Sequence, residues 1–283
     1  MKKPVSQQLV TATRALEPVS ETPRLDAELL MAHGLGLSRN DMLLKARDLE
    51  TPTAFDGLMA RRLNHEPIAY IRGHQEFWDL VLDVTPDSLI PRGDSETLIE
   101  AAIAHFRDRP PPSRILDLGT GSGALLLASL SVFPKAEGVA LDASAAALAV
   151  AKGNADRLGF DNRAIFLHRS WRDAGWADDL GSFDLILCNP PYVETGAELA
   201  RQVQAYEPVS ALFAGDDGLD DYRILVPQMP PLLAEHGICI FEIGRGQDRS
   251  VTQLANQAGC AVIPHRDLAD IIRALSLSKS IGG

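Results

Sequence analysis

Apolar positions along the first seventy residues recur at helical spacing, in short runs. Thr22-Pro23 sets a capping residue before a proline at a first helical position, where the missing N–H has no partner to lose. Leu25, Leu29 and Ala32 follow three to four apart, and Gly34 is expected to stop that run. Ser38 with Asp41 resembles a capping box, Asp replacing the usual Glu. Thr51-Pro52 repeats the first device, and Phe55, Leu58, Met59 and Leu63 form one apolar stripe. The pattern predicts a small all-helical domain.

From Gly73 to Ile90 the period shortens to two. Trp78, Leu80, Leu82 and Val84 alternate with polar residues in EFWDLVLDVTPDSLIPR, which predicts a hairpin or an extended linker. Beyond it strands and helices take turns. RILDL (114–118) and EGVALD (137–142) read as strands, ALLLASLSVF (124–133) and SAAALAVAKGNADRLG (144–159) as helices. AIFLH, FDLILC and GICIFEI read as further strands. Such alternation implies an α/β fold, a parallel sheet covered on both faces. Residues 193–221 break the rhythm as a long acidic connection, and loops of that length are usually functional or mobile.

Composition narrows the setting. Hydrophobic residues make up 46% and charged residues 23%, as in ordinary soluble domains. No apolar run approaches the ~20 residues of a membrane span. MKKPVSQQLV has two lysines but no apolar segment of a secretory signal. Cys188, Cys239 and Cys260 lie far apart and the seven histidines are scattered, so no metal-site spacing is present. The expectation is a reducing, cytoplasmic location, no membrane and no metal. The net charge of −11 is uneven, with 17 Lys and Arg against 29 Asp and Glu in residues 75–283. Neutralising phosphates takes a basic surface, so direct nucleic-acid binding is disfavoured.

Asp117-Leu-Gly-Thr-Gly-Ser-Gly123 joins a strand to a helix. Its glycines let backbone approach a ligand, and the helix start offers unpaired N–H groups. Nineteen residues past Gly123, Asp142 ends the next strand, where a carboxylate can accept both hydroxyls of a ribose. Gly119, Gly121 and Ala124 also satisfy a dinucleotide fingerprint, so an NAD-type oxidoreductase competes at this point. Two details favour S-adenosylmethionine. Asp117 before the glycines suits a cationic ligand better than a pyrophosphate, and a fourth strand brings a proline elbow to the same edge of the sheet.

That elbow is FDLILCNPPYV, residues 183–193. Two prolines cannot continue a sheet interior, so the strand must end at Cys188 or Asn189. Asn189 offers an amide group and Pro190 a carbonyl fixed by its ring. Two acceptors of that kind can hold both hydrogens of a planar –NH2 group and turn its lone pair toward a methyl donor. Tyr192 can stack on the flat group. Alone, the segment also reads as a strand-ending turn with Tyr192 packed in the core. After a glycine loop and a strand-end Asp, the chemical reading prevails.

Nearly the whole chain resembles the PrmC/HemK family, the protein-(glutamine-N5) methyltransferases that modify class-1 peptide chain release factors. The resemblance runs through EPIAYIRGHQEFWDL (66–80), LIPRGDSETL (89–98), ILDLGTGSGAL (115–125), LCNPPYV (187–193), YEPVSALFAGDDGL (206–219) and FEIGRGQ (241–247). It implies a class I S-adenosylmethionine-dependent methyltransferase, Rossmann-like, with a seven-stranded mostly parallel sheet and a small N-terminal helical domain. It implies a cofactor cradle at Asp117, Gly119, Thr120, Gly121, Ser122 and Gly123, with ribose at Asp142, adenine against Trp171, and Asn189 touching the cofactor. Asn189, Pro190 and Tyr192 are implied as catalytic, and with Pro191 they meet the substrate glutamine. The expected division is 1–72 for helical docking of the release factor, 73–90 for the hairpin or linker, and 91–283 for methyl transfer, in a monomer.

Two departures stand out. The family often has Pro-Arg-Pro where this chain reads Pro91-Arg92-Gly93, and Ser170 precedes Trp171 where an acidic residue is frequent. A DNA adenine-N6 methyltransferase shares the elbow chemistry, and a ribosomal-protein glutamine is a further candidate substrate. Other residues carry weaker expectations. Glu96 is divided between a cofactor ammonium and the helix dipole. Glu207 is expected to orient the loop after the elbow. Cys188 is expected to be a small hydrophobe, and Asp216, Asp217, Asp220 and Asp221 a solvated face. Glu242 has no assignment.

Overall fold

The computed structural model describes residues 3–280. The described residues divide into two compact units, 3–74 with 199–207, and 75–198 with 208–280.

The smaller unit is helical. Helix α1 (Val5–Leu16) places Val5, Leu9, Ala12 and Leu16 on one buried stripe. Helices α2 (Pro23–Leu35), α3 (Arg39–Lys45), α4 (Phe55–Leu63) and α5 (Ile68–Arg72) close around it, with Leu30, Met31, Met42, Phe55 and Ile71 in the core. Ser38 caps α3 as expected, its hydroxyl accepting from the Asp41 N–H at 3.0 Å. Three expectations are corrected. Gly34 lies within α2 against Pro52 and Leu58, and the helix ends at Gly36, whose φ of 65° suits a residue without Cβ. The buried face of α2 is turned by one residue, leaving Leu25 exposed. The cause is Asp26, which faces inward to pair with Arg62 at 2.7 Å. Thr51 does not cap α4, which follows Ala54; the Thr51 hydroxyl donates to the Lys3 carbonyl instead. A short helix at Arg201–Tyr206 also belongs to this unit, and the Tyr206 hydroxyl donates to the Asn64 carbonyl at 3.0 Å.

In the larger unit β1 (His74–Phe77) and β2 (Leu80–Asp83) form the expected hairpin, turned at Trp78 with a φ of 57°. It is no free linker, because Phe77, Leu80 and Leu82 are buried in this unit's core. Then follow α6 (Glu96–Phe106), β3 (Arg114–Leu118), α7 (Ala124–Val132), β4 (Glu137–Asp142), α8 (Ala145–Leu158), β5 (Ala164–His168) and β6 (Phe183–Cys188). The Arg201–Tyr206 helix is α9, followed by α10 (Asp220–Leu225), α11 (Met229–Leu232), β7 (Leu233–Glu242), α12 (Asp248–Gln257), β8 (Cys260–Arg266) and β9 (Ile272–Lys279). The seven-stranded sheet has the order β5-β4-β3-β6-β7-β9-β8, with β9 antiparallel to both neighbours and the other pairs parallel. Alternate strand residues feed two cores. Ile115, Leu185, Leu187 and Ile240 meet α6 and α7, whereas Leu116, Ile186 and Phe241 meet Tyr222, Met229 and Val251.

Residues 193–221 are not a featureless loop. Val193 bridges Phe213 in parallel, so the excursion through α9 starts and ends on one short pairing. Nor do the aspartates make one solvated face. Asp217 and Asp220 pair with Arg223 at the surface, but Asp221 is 1% exposed. Asn154, fully buried, takes the Asp83 N–H on its oxygen and donates to the Asp83 and Ser122 carbonyls, joining the hairpin to the end of the glycine loop.

The Asp26–Arg62 pair generates a prediction. Both side chains are under a tenth exposed, at 8% and 5%, so removing one leaves an uncompensated buried charge. Arg62→Ala is expected to destabilise the chain by about 3–5 kcal/mol. Equilibrium urea unfolding measures it, and a loss no greater than that of a surface substitution contradicts it.

Candidate active site

Register brings the site together. Leu118 on β3 pairs with Leu141 on β4 and Cys188 on β6, and Cys188 pairs with Phe241 on β7. Four neighbouring parallel strands therefore end at one level. The glycine loop, Asp142, the elbow and Glu242 follow them. Ligands of open α/β sheets bind at this carboxyl edge. A cavity of about 510 Å³ lies there, lined by Phe77, Leu89, Arg92, Ser95, Gly119, Thr120, Gly121, Ser122, Leu125, Asp142, Trp171, Asn189, Pro191 and Asp221 among others.

Eight of the residues singled out in the sequence share this wall: Gly119, Thr120, Gly121, Ser122, Asp142, Trp171, Asn189 and Pro191. Asp117, Gly123, Pro190 and Tyr192 lie close to lining residues in the chain without lining the cavity themselves. Asp117, 1% exposed, accepts from the Thr120 hydroxyl at 2.6 Å. Burial pushes its carboxyl up to about 7, with the Thr120 hydrogen bond working against that rise. The sequence expectation of a carboxylate facing a cationic ligand thus meets a carboxylate beneath the loop. Gly123 caps the start of α7 from just outside it, with a φ of 88°.

Asp142 accepts from the Gly121 N–H at 2.9 Å and the Ser144 N–H at 2.8 Å, one on each oxygen. Each oxygen keeps a further lone pair on the cavity wall. Trp171 lies against Gly119, where a Cβ would come within 3.1 Å of the indole ring. Its N–H donates to Asp221 at 2.7 Å, and Arg172 pairs with the same oxygen at 2.7 Å. Nothing stands within 4 Å of where a Cβ on Gly121 would be, so backbone there borders open space.

At the elbow the Asn189 NH2 group donates to the Ser95 hydroxyl at 3.3 Å. Ser95 donates in turn to Glu242 Oε2, and the Tyr192 hydroxyl donates to Glu242 Oε1 at 3.2 Å. Gln247 holds the Tyr192 carbonyl at 3.0 Å. Burial raises Glu242 to about 6, and the Ser95 hydrogen bond opposes the rise. Glu96 accepts from the Trp78 N–H at 2.8 Å, which commits it to the hairpin. Cys188 is a buried thiol in the core, raised in pKa by its burial. Sequence reasoning missed Ser95, Asp221 and Gln247 as parts of the site and left Glu242 unassigned. FEIGRGQ stood out only by resemblance, since an isolated Ser or Glu carries no spacing signal.

The donor set fits S-adenosylmethionine: a strand-end carboxylate for a ribose, an indole wall for adenine, and a glycine backbone beside open space. Among the described residues no cluster could hold a metal ion. Fold and cavity together define a class I S-adenosylmethionine-dependent methyltransferase. Residues 7–73 match the PrmC N-terminal domain and residues 111–261 a methyltransferase domain. A release factor glutamine methyltransferase of Rhodospirillum rubrum is 42% identical over 93% of this chain and 81% of its own length. One of Bradyrhizobium diazoefficiens is 39% identical over 95% and 92%. The chain belongs to the release factor glutamine methyltransferase family. The fold extends to distant structures. The hMettl16 catalytic domain, crystallised with MAT2A 3'UTR hairpin 1, aligns with a TM-score of 0.59 at 13% identity over 82% of this chain and 84% of its own. A methyltransferase of Pyrococcus furiosus aligns at 0.53 and 18% identity over 80% and 100%.

Asp117 generates a prediction. Its carboxyl titrates near 3.8 when unfolded and about 7 when folded, so between those values the folded chain holds the extra proton. Stability from this group is full below the unfolded value and is lost as pH rises through about 7. The difference approaches about 4 kcal/mol. Thermal midpoints of the ligand-free chain, measured from pH 4 to 8, are expected to fall more steeply for the native sequence than for Asp117→Asn. Parallel slopes contradict it.

Proposed function

We propose that this enzyme transfers a methyl group from S-adenosylmethionine to the side-chain amide nitrogen, N5, of the glutamine in the Gly-Gly-Gln motif of class-1 peptide chain release factors. The observation that carries the reading is the elbow. In a chain of this family, Asn189 and Pro191 stand on the same cavity wall as Asp142 and Trp171. S-adenosylmethionine supplies an electrophilic methyl carbon on a sulfonium. The backbone from Gly119 to Gly123 would cradle that cofactor, Asp142 would take its ribose hydroxyls, and Trp171 would lie along its adenine. Asp117 acts on the cradle from beneath, through Thr120.

Asn189 presents its amide oxygen to the substrate, since its NH2 group is engaged by Ser95. With the Pro190 carbonyl it accepts the two N–H bonds of the glutamine amide. An amide nitrogen is delocalised into its carbonyl, so orientation does more for it than a base would. Both acceptor dipoles also favour the positive charge that develops on the nitrogen; the carbon–sulfur bond would break to leave a neutral thioether, and the methylated nitrogen, strongly acidic, would give one N–H proton to water. Pro191 and the ring of Tyr192, tethered through its hydroxyl, shape an apolar wall beside the flat amide. The helical unit docks the release factor.

The partner is protein rather than nucleic acid, a reading supported by the acidic balance of residues 75–283. Among the described residues no helix is long and apolar enough to cross a membrane. Three unpaired cysteines support a reducing compartment, so the enzyme is assigned to the cytoplasm.

Transfer of labelled methyl tests the proposal. A class-1 release factor is expected to take label, and the same factor with its Gly-Gly-Gln glutamine changed to alanine is not. Asn189→Ala is expected to reduce the rate on the order of 10²-fold while S-adenosylmethionine still binds. Label on duplex DNA or on a ribosomal protein, with none on the release factor, overturns the assignment.

A further inference from the structure

Glu242 ends β7 one residue beyond Phe241, and Asn189 follows β6 one residue beyond Cys188. Phe241 and Cys188 are register partners, so the two residues lie side by side at the ends of adjacent parallel strands. Glu242 is 1% exposed, and a buried carboxylate is costly unless it is fully hydrogen-bonded. Its two oxygens take two hydroxyls, from Ser95 and from Tyr192, and the Tyr222 hydroxyl donates to its backbone carbonyl at 2.7 Å. None of these groups transfers a proton in the reaction described above.

The direction of the chain of hydrogen bonds is what matters. An ionised carboxylate only accepts. Ser95 has one proton and gives it to Glu242, so toward Asn189 it can only accept. Asn189 must then turn its NH2 group to Ser95 and its carbonyl oxygen the other way. We propose that Glu242 and Ser95 are positioning residues that fix the polarity of the Asn189 amide, so that an acceptor and not a donor meets the substrate –NH2. The inference rests on glutamine methylation as the reaction.

A neutral group at position 242 removes the constraint. Ser95 is then free to donate to the Asn189 oxygen, the amide turns over, and its NH2 group confronts the substrate's own NH2. The charged neighbours of Glu242 oppose one another. Arg273, beside it on β9, favours the ionised form, whereas Asp94, next to Ser95, disfavours it. Arg273 is itself held by Asp94 at 2.9 Å and Asp267 at 3.2 Å. Burial is the larger influence, leaving Glu242 at about 6. The ordering chain is therefore intact above that pH and dissolves below it.

Steady-state methylation of a class-1 release factor tests the idea, alongside calorimetric titration with S-adenosylmethionine to show that each variant is folded. Glu242→Gln and Ser95→Ala are expected to lower kcat at least about tenfold, with cofactor affinity unchanged within about twofold and Ser95→Thr recovering most of the loss. The native enzyme is expected to lose kcat in one ionisation as pH falls through about 6, and Glu242→Gln to lose that limb. In an Asn189→Ala background, Ser95→Ala is expected to cost nothing more, because its effect passes through Asn189. Native kcat in Glu242→Gln, or full additivity with Asn189→Ala, overturns the proposal while leaving the methylation assignment intact. A native enzyme that binds S-adenosylmethionine and leaves the release factor unlabelled overturns that assignment and the positioning role together.

Discussion

Two prolines without N–H groups set the limit of the central strand, and the site is arranged around that limit. Pro190 and Pro191 cannot extend the ladder, so β6 stops at Cys188, level with Leu118 and Phe241 on its neighbours. Parallel strands send all their carboxyl ends to one edge. Stopping them at one level puts a glycine loop, a strand-end aspartate, an amide and a buried glutamate within one cavity's reach. Had β6 run two residues further, Asn189 would be spent as a ladder residue and could not stand on the wall.

Three carboxylates almost without exposure support that wall: Asp117, Asp221 and Glu242, each at 1%. Each holds one working surface through a single donor. Asp117 takes the Thr120 hydroxyl of the glycine loop, Asp221 the Trp171 indole N–H, and Glu242 the Ser95 hydroxyl that Asn189 leans on. Burying an acid is unfavourable, as the raised positions of Asp117 and Glu242 express. An apolar residue of the same volume would avoid that cost but would accept no hydrogen bond, leaving the loop, the ring and the amide free to turn. Stability is given up for orientation, and orientation is what an unactivated amide nitrogen requires.

The sheet was readable because its evidence is periodic. RILDL, EGVALD and FDLILC carry runs whose length and flanks admit few alternatives, and all three are strands. The elbow was readable because two prolines are locally decisive. Failures occurred where a long-range partner outvoted local pattern. Leu25, Leu29 and Ala32 have helical spacing, yet Asp26 faces inward because Arg62, thirty-six residues away, is there to meet it. Thr51-Pro52 has the form of a cap, but the Thr51 hydroxyl serves Lys3. Asp221 sits in a run that reads as solvated, and only the fold brings Trp171 and Arg172 to it. Ser95 and Glu242 are 147 residues apart, joined by a register that no single segment encodes.

On the proposed function the elbow recognises a planar –NH2 group, and that chemistry does not distinguish a glutamine from an adenine. Fold does not decide either, since one fold hosts many substrates. Discrimination must come from what surrounds the wall. On the proposed function, the acidic balance of residues 75–283 disfavours a phosphate backbone and leaves a protein loop as the carrier of the amide. Glu242, behind the elbow, and the acidic balance of residues 75–283 then act at different ranges. In the proposed reaction the first bears on how an amide is held, the second on which polymers bring one near.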